Sequence, residues 1–167
     1  MKKIGLLADT HNYLDPAILG YFEGCDEIWH AGDFGTLAIA NQLREVAPVT
    51  GVYGNIDGND VRGVYPLLVR RDVEGLDFMM THIGGHPGRY ALPVLPHFKE
   101  KTPDVFICGH SHILKIVRDK QMNNMLYLNP GAAGRHGFQI YRTIVRFHVD
   151  QGKMTNMDVI NLSDEGR

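Results

Sequence analysis

Residues 4–12 read Ile-Gly-Leu-Leu-Ala-Asp-Thr-His-Asn, an apolar run that passes without a break into Asp9 and His11. The same arrangement returns along the chain. Glu27–Ala31 runs into Gly32-Asp33, and Val49–Tyr53 into Gly54-Asn55-Ile56-Asp57. Leu76–Thr81 runs into His82, and Val105–Cys108 into Gly109-His110-Ser111-His112. Short runs rich in β-branched and aromatic residues predict strands. In open α/β sheets ligands bind beyond the carboxyl ends of strands. If these strands lie side by side, Asp9, His11, Asp33, Asn55, His82, His110 and His112 crowd one pocket. Gly32, Gly54 and Gly109, which precede the polar residues, permit close backbone approach there.

That set holds two carboxylates, one amide oxygen and four imidazoles, a mixture suited to Mn²⁺, Fe²⁺, Zn²⁺, Co²⁺ or Ni²⁺ rather than Ca²⁺. Seven groups exceed one tetrahedral site and suit two ions about 3.5–4 Å apart with a bridging carboxylate. Two divalent ions outweigh two aspartates and a hydroxide, so the pocket would attract phosphate. Each fragment alone has an ordinary reading: Asp-x-His arises by chance, and Gly-Asp or Gly-Asn marks a turn. His110 and His112, two apart, would share one face of a regular strand, although Gly109 also permits a turn. Only the joint occurrence at strand ends is hard to explain structurally.

The remaining residues frame this site. Further strands are expected at Leu67–Val73, Ile113–Val117, Met125–Asn129 and Thr143–Val149, with a hairpin at Gly75. Asp15-Pro16 starts a helix that stops near Gly24, and Thr36 caps a second carrying Leu37, Ala40, Leu43 and Ala47. A third, confined by Pro93 and Pro96, is expected within Leu92–Lys101. Early β/α alternation followed by a strand-rich half gives an α/β fold with a mixed sheet or two sheets. At 167 residues, one domain over residues 1–162 is expected, with a frayed polar tail at residues 163–167. Hydrophobic residues at 44% and charged residues at 22% exclude a disordered chain.

A net charge of −2 gives no general field for nucleic acid or an anionic membrane, so an anion must be captured locally. Two cysteines exclude a disulfide framework, and Ile4–Ala8 is too short for a signal-peptide core; a cytoplasmic protein is expected. Among the nine histidines, His30 reads as a core residue, while His97 and His148 read as peripheral. Trp29 and Met79-Met80 read as core.

In this order, Asp-x-His, Gly-Asp, Gly-Asn-x-Asp, a lone His and Gly-His-x-His resemble the calcineurin-like metallophosphoesterase superfamily. Within it, the short chain and Gly54-Asn55-Ile56-Asp57 are similar to the small prokaryotic phosphodiesterase branch, which is related to the retromer subunit fold. Asn129-Pro130-Gly131 is similar to that branch's Asn-Pro-Gly-Ser loop, with Ala132 in place of Ser.

The resemblance implies two mixed β-sheets packed as a sandwich with flanking helices, in four layers. It implies that Asp9, His11 and His112 hold one divalent ion and that Asn55, His82 and His110 hold the other. Asp33 would bridge them, and Asp57 would orient a ligand or a water. Mn²⁺ is the favoured ion, with Zn²⁺, Fe²⁺, Ni²⁺ or Mg²⁺ as alternatives. The implied reaction is phosphodiester hydrolysis by in-line attack of a hydroxide shared by both ions. Asn55, His82 and Asp57 are the candidate catalytic residues.

Three departures stand out. Ile56 occupies the place of a His that assists the leaving group in many relatives, which favours good leaving groups; such help is worth about 10²–10⁴-fold. The usual Thr-His-Gly-His appears as Thr81-His82-Ile83-Gly84-Gly85-His86, so His86 is the alternative to His82. Ala132 would leave phosphate one hydrogen bond short. Asn12, His86 and Arg135 are candidate substrate contacts, with His136 beside the last. The expected partner is a small phosphorylated substrate, with nucleic acid entering only as a phosphodiester, no membrane, and self-association allowed. The rival readings are a phosphomonoesterase or nucleotide-anhydride hydrolase, and a metal-free interaction scaffold of the retromer kind.

Overall fold

The computed structural model describes residues 1–164. Its first half holds β1 (Lys2–Leu7), α1 (Ala17–Tyr21), β2 (Glu27–His30), α2 (Leu37–Arg44), β3 (Val49–Gly51), α3 (Asn59–Arg62), β4 (Leu68–Val73) and β5 (Leu76–Thr81). A short hairpin of β6 (Gly85–His86) and β7 (Arg89–Tyr90) follows, then α4 (Leu95–Glu100). The chain ends with β8 (Val105–Ile107), β9 (Leu114–Asp119), β10 (Met125–Pro130), β11 (Thr143–Asp150) and β12 (Lys153–Asn161). One five-stranded sheet has the order β12-β11-β1-β2-β3 and the other β4-β5-β8-β10-β9. Both are mixed. β1, β2 and β3 run parallel in the first, as do β5, β8 and β10 in the second.

Continuous apolar runs form these strands because both faces of each sheet are covered. Ile4, Leu6 and Ala8 point into the space between the sheets, where they meet Trp29, Phe147, Phe78, Met80 and Ile107. Leu7, Ile28 and Ile144 point the other way, onto Phe22 of the α1 segment and onto Ile39 and Leu43 of α2. The outer face of the second sheet carries Met79, Phe106 and Tyr127 under Val94 and Phe98. The result is helix, sheet, sheet, helix, the four-layer sandwich expected above. A Cβ on Gly5 would come within 2.5 Å of the Phe22 ring, so α1 packs where β1 has no side chain. At one edge the Arg71 guanidinium donates to both Glu27 oxygens at 3.1 Å, tying β4 of one sheet to β2 of the other.

Several expectations shift. The polar, largely exposed β12 has little apolar alternation to announce it, and it pairs along β11 as an edge strand. The third helix is a 3₁₀ turn at Leu92–Val94 followed by α4. Ser163 is not frayed: its hydroxyl accepts the Arg142 amide at 2.8 Å, within a 3₁₀ turn at Leu162–Asp164. The rest of the expected tail, residues 165–167, lies outside the described residues. No helix among the described residues is long and apolar enough to cross a membrane.

His30 is fully buried and stacks on Phe34 at 3.7 Å. Its Nδ1 accepts the Gly32 amide at 3.1 Å and its Nε2 lies 3.0 Å from Thr10 Oγ1, so the ring works as a neutral group. Burial, reinforced by the His82 charge, pushes its pKa down to about 3. The unfolded chain, with His near 6.5, therefore binds a proton that the folded chain refuses, and stability falls as pH drops from about 6.5 toward 3. The expected slope from this residue is at most ~1.4 kcal/mol per pH unit. Urea unfolding of metal-free protein across that window should show a shallower pH dependence in His30→Gln than in the parent chain.

Candidate metal centre

The parallel strands of both sheets deliver their carboxyl ends to one place. Asp9 and Asp33 follow β1 and β2 and are 0% and 2% exposed. Asp9, His11 and His112 form one group whose offered donor atoms all lie within 4.8 Å of one another, and Asp33, His82 and His110 form a second. His112 Nε2 lies 3.3 Å from Asp9 Oδ1, and His82 Nε2 lies 3.1 Å from Asp33 Oδ2. The groups adjoin: Asp33 Oδ2 is also 3.4 Å from His11 Nε2. Asp33 Oδ1 accepts the Ile56 amide at 3.0 Å, which leaves Oδ2 facing both groups. Asn55 Oδ1 sits 3.0 Å from His110 Nδ1 and completes the second group. The structure thus brings together all seven residues read from the strand ends.

The backbone at these positions is unusual. Asp9, His11, Asp33, His110 and His112 all adopt positive φ, between 44° and 70°. Left-handed backbone at non-glycine residues costs energy and persists where surroundings over-determine it, typically at functional sites. It also corrects the strand-face reading of Gly109-His110-Ser111-His112. The segment is a turn beyond β8, and its two histidines join different groups.

Neighbouring residues impose this shape. The Asp57 carboxylate accepts the Phe34, Gly35 and Gly54 amides at 3.2, 2.9 and 2.8 Å, so it clamps the Asp33 and Asn55 loops together through backbone. Gly54 is required by close approach, since a Cβ there would overlap the Asp33 carboxylate. Asn129 donates to Gly109 O and Ser111 Oγ, both at 3.0 Å, and so holds the histidine turn. Ala132 is fully buried rather than part of the cavity wall, so its replacement of Ser removes no contact in the cavity.

The donor set fits a pair of divalent ions. Among the described residues, four buried side-chain polar atoms lack a hydrogen-bond partner, and three are Asp9 Oδ1, His11 Nε2 and His82 Nε2. Unpaired buried polar groups are costly and rare, and here they converge on one point. Donors about 2.0–2.1 Å from a shared ion lie roughly 3 Å apart, close to the spacings found. The charges agree. Burial disfavours protonated His82, yet its contacts with Asp33 and Asp9 prevail and raise its pKa. The Asp9 contact raises His112 against the effect of burial. Burial would lift Asp33, but His82 and the Ile56 amide hold it below the usual carboxylate value. For His11, burial dominates and the pKa falls.

A cavity of about 560 Å³ opens over the centre, walled by Asn55, Ile56, His110, Ser111, His136 and Phe138 among others. His86, the alternative ligand, is exposed on the β6–β7 hairpin, with Nδ1 2.9 Å from Pro87 O, and lines an adjoining hollow. His82 takes the central place. Asn12 and Arg135 do not line the main cavity: Asn12 Oδ1 accepts the Thr36 hydroxyl at 2.7 Å, and Arg135 lies 4.0 Å over the Tyr13 ring. His136 stacks on His11 at 4.6 Å instead. Gln139 escaped the sequence reading because nothing in the pattern marks it. Its Oε1 is 2.9 Å from His112 Nδ1, while its Nε2 donates to Gly134 O and His136 O. That fixes the His112 tautomer with Nε2 toward Asp9.

Residues 1–152 match the sequence profile of the calcineurin-like phosphoesterase superfamily domain. A probable metallophosphoesterase of Methanocaldococcus jannaschii is 33% identical over 138 residues, covering 77% of this chain and 67% of that protein. Among solved structures, zinc-bound Vps29 from Entamoeba histolytica superposes with a TM-score of 0.78 at 16% identity, over 98% of this chain and 94% of that one. An archaeal phosphodiesterase superposes with a TM-score of 0.69 at 24% identity, over 95% and 99%.

Gln139→Leu should weaken divalent-ion binding at the Asp9–His11–His112 group by about 10–100-fold, the usual loss when an outer partner of a metal-bound His is removed. Calorimetric titration with Zn²⁺ checks this, and unchanged affinity would show that the tautomer is held by other contacts.

Proposed function

The chain belongs to the calcineurin-like phosphoesterase superfamily, and from that premise we propose that it is a dinuclear metal-dependent phosphodiesterase. The observation that carries this reading is Asp33 Oδ2, which faces both donor groups at once while Oδ1 is held by the Ile56 amide. Asp9, His11 and His112 would hold one ion, Asn55, His82 and His110 the other, and Asp33 both. Mn²⁺ is the favoured occupant, since mixed carboxylate, amide and imidazole donors suit it. When bound, the ions supply positive charge to the phosphoryl oxygens and make a water molecule acidic enough to serve as nucleophile near neutral pH.

The chain's own groups do the rest. Asn55 spends its Oδ1 within the centre, which leaves its amide N–H groups to meet a non-bridging phosphate oxygen. Asp57 keeps Asn55 and Asp33 in register. Water adds to phosphorus, one P–O bond breaks, and the departing alcohol takes up the proton. Ile56 walls the cavity and offers no proton, so alcohols that leave as stable anions are favoured. The archaeal phosphodiesterase of similar fold supports the diester preference. His136, stacked on His11 in the cavity wall, favours a second reading, a phosphomonoesterase with an imidazole acid.

Chelator-stripped protein given Mn²⁺, Zn²⁺, Ni²⁺ or Mg²⁺ singly should hydrolyse an aryl phosphodiester well above the matching monoester. Monoester hydrolysis alone would replace this reading with the second, and the absence of both activities and of bound metal would leave the metal-free scaffold. Asp33→Asn should lose at least about 10³-fold in kcat/KM together with metal content; full activity in that variant would sink the scheme.

A further inference from the structure

A second hollow of about 590 Å³ lies beside the metal-centre cavity. The two share His112, Ile113 and Gln139 as a common wall. Beyond that wall the lining is Leu114, Ile140, Tyr141 and Val159 with Thr143 and Asn161, and among the described residues no Lys, Arg, Asp or Glu lines it. Its apolar groups are strongly exposed for their type: Ile113 is 65% exposed, Ile140 79% and Tyr141 61%. These exposed apolar side chains lie together along one hollow rather than scattered singly over the surface. The volume falls in the range of small-molecule sites, and a tyrosine ring offers a face for stacking.

We infer that this hollow receives an uncharged aromatic or similarly apolar ester group of the phosphodiester, so the substrate class is phosphodiesters with one such substituent. The inference rests on the phosphodiesterase reading and deepens it. Adjacency of the two hollows across His112, Ile113 and Gln139 carries it: a phosphate over Asp33 would direct one substituent past that wall toward Ile140 and Tyr141. Charge decides the chemistry of that substituent. With no Lys or Arg in the lining, and His112 turned by its Nε2 toward Asp9, a second phosphate or a carboxylate there would be desolvated without a compensating cation. Burial of the exposed aliphatic groups rewards an apolar ring.

The test uses Mg²⁺-loaded protein, isotope-labelled, with diphenyl phosphate and dimethyl phosphate as probes. Both are singly charged diesters and differ only in their ester groups. Diphenyl phosphate should shift the amide resonances of Ile113, Ile140, Tyr141 and Val159 and bind about tenfold more tightly than dimethyl phosphate. Ile140→Asn combined with Val159→Asn, both at exposed positions, should cancel that advantage and leave dimethyl phosphate affinity unchanged. Equal affinities with these resonances unmoved would overturn the inference while leaving measured diester hydrolysis intact. Shifts at the same residues on raising protein concentration alone would assign the face to a second copy of the chain and overturn it too. Seating of diphenyl phosphate without metal-dependent hydrolysis of any diester would overturn the phosphodiesterase reading and, with it, the substrate assignment.

Discussion

Two carboxylates, Asp9 and Asp33, are buried at the ends of adjacent parallel strands, and like charges in that position require compensation. The protein supplies it with imidazoles that approach to between 3.1 and 3.9 Å. Imidazoles are suited to this because each can either carry a proton or donate a lone pair to a cation. The raised pKa values of His82 and His112 show the first role. The unpaired Nε2 atoms of His11 and His82 are consistent with the second. A proton and a divalent ion thus compete for the same positions, and the fold leaves the choice to the medium.

Holding such a cluster requires rigidity in segments that are not helix or strand. Backbone bonds between the strand ends, from Asp9 N–H to Gly32 O at 2.9 Å and from His11 N–H to Asp33 O at 3.0 Å, supply part of it, and buried side chains add the rest. Asp57 collects three amides, Asn129 pins the turn between β8 and β9, and Thr10 Oγ1 donates to Phe34 O beside the His30 ring. Each clamp joins segments at the ends of neighbouring strands of one sheet. The ties between the sheets are others: Asp9 Oδ2 accepts the His110 amide at 3.0 Å, and His82 Nδ1 lies 2.8 Å from Ala31 O. The left-handed residues stay put because buried, multiply bonded neighbours define their positions, which is how strain is retained at a working site.

Much of this was legible in the amino-acid order. Strands covered on both faces are written as uninterrupted apolar runs, so their ends, and the polar residues just past them, stand out. That is why the seven residues that the fold brings together stand out in the sequence, and why Trp29, Met79 and Met80 read as core, where all three are buried. The edge strand β12 was invisible for the converse reason: it is half solvated and its polar residues follow no clean alternation. The turn geometry of His110 and His112 was also hidden, because spacing along a chain does not reveal φ. Gln139 and His136 reach the centre from a segment without regular structure, where only tertiary contacts decide which side chain turns inward. Arg135 shows the same point in reverse, since Tyr13 draws it onto its ring and leaves the cavity to its neighbour.

That irregular segment, between Gly134 and Thr143, carries three tasks at once. His136 stacks on His11, Gln139 fixes His112, and Phe138, Ile140 and Tyr141 shape the surface beyond the phosphate position. Within it Gln139 Nε2 donates to Gly134 O and His136 O, and near its end the Arg142 guanidinium donates outward to Asp15 at 3.0 Å. The same side chain, Gln139, therefore anchors the loop and aligns a metal donor. Movement of the apolar wall cannot be separated from movement of His112. A ligand that presses on the wall would change how tightly His112 engages its ion, and an ion that draws His112 inward would order the wall. Were an ion and an ester group both to bind as proposed, they would be coupled through one amide, and thermodynamic linkage would make that coupling equal in both directions.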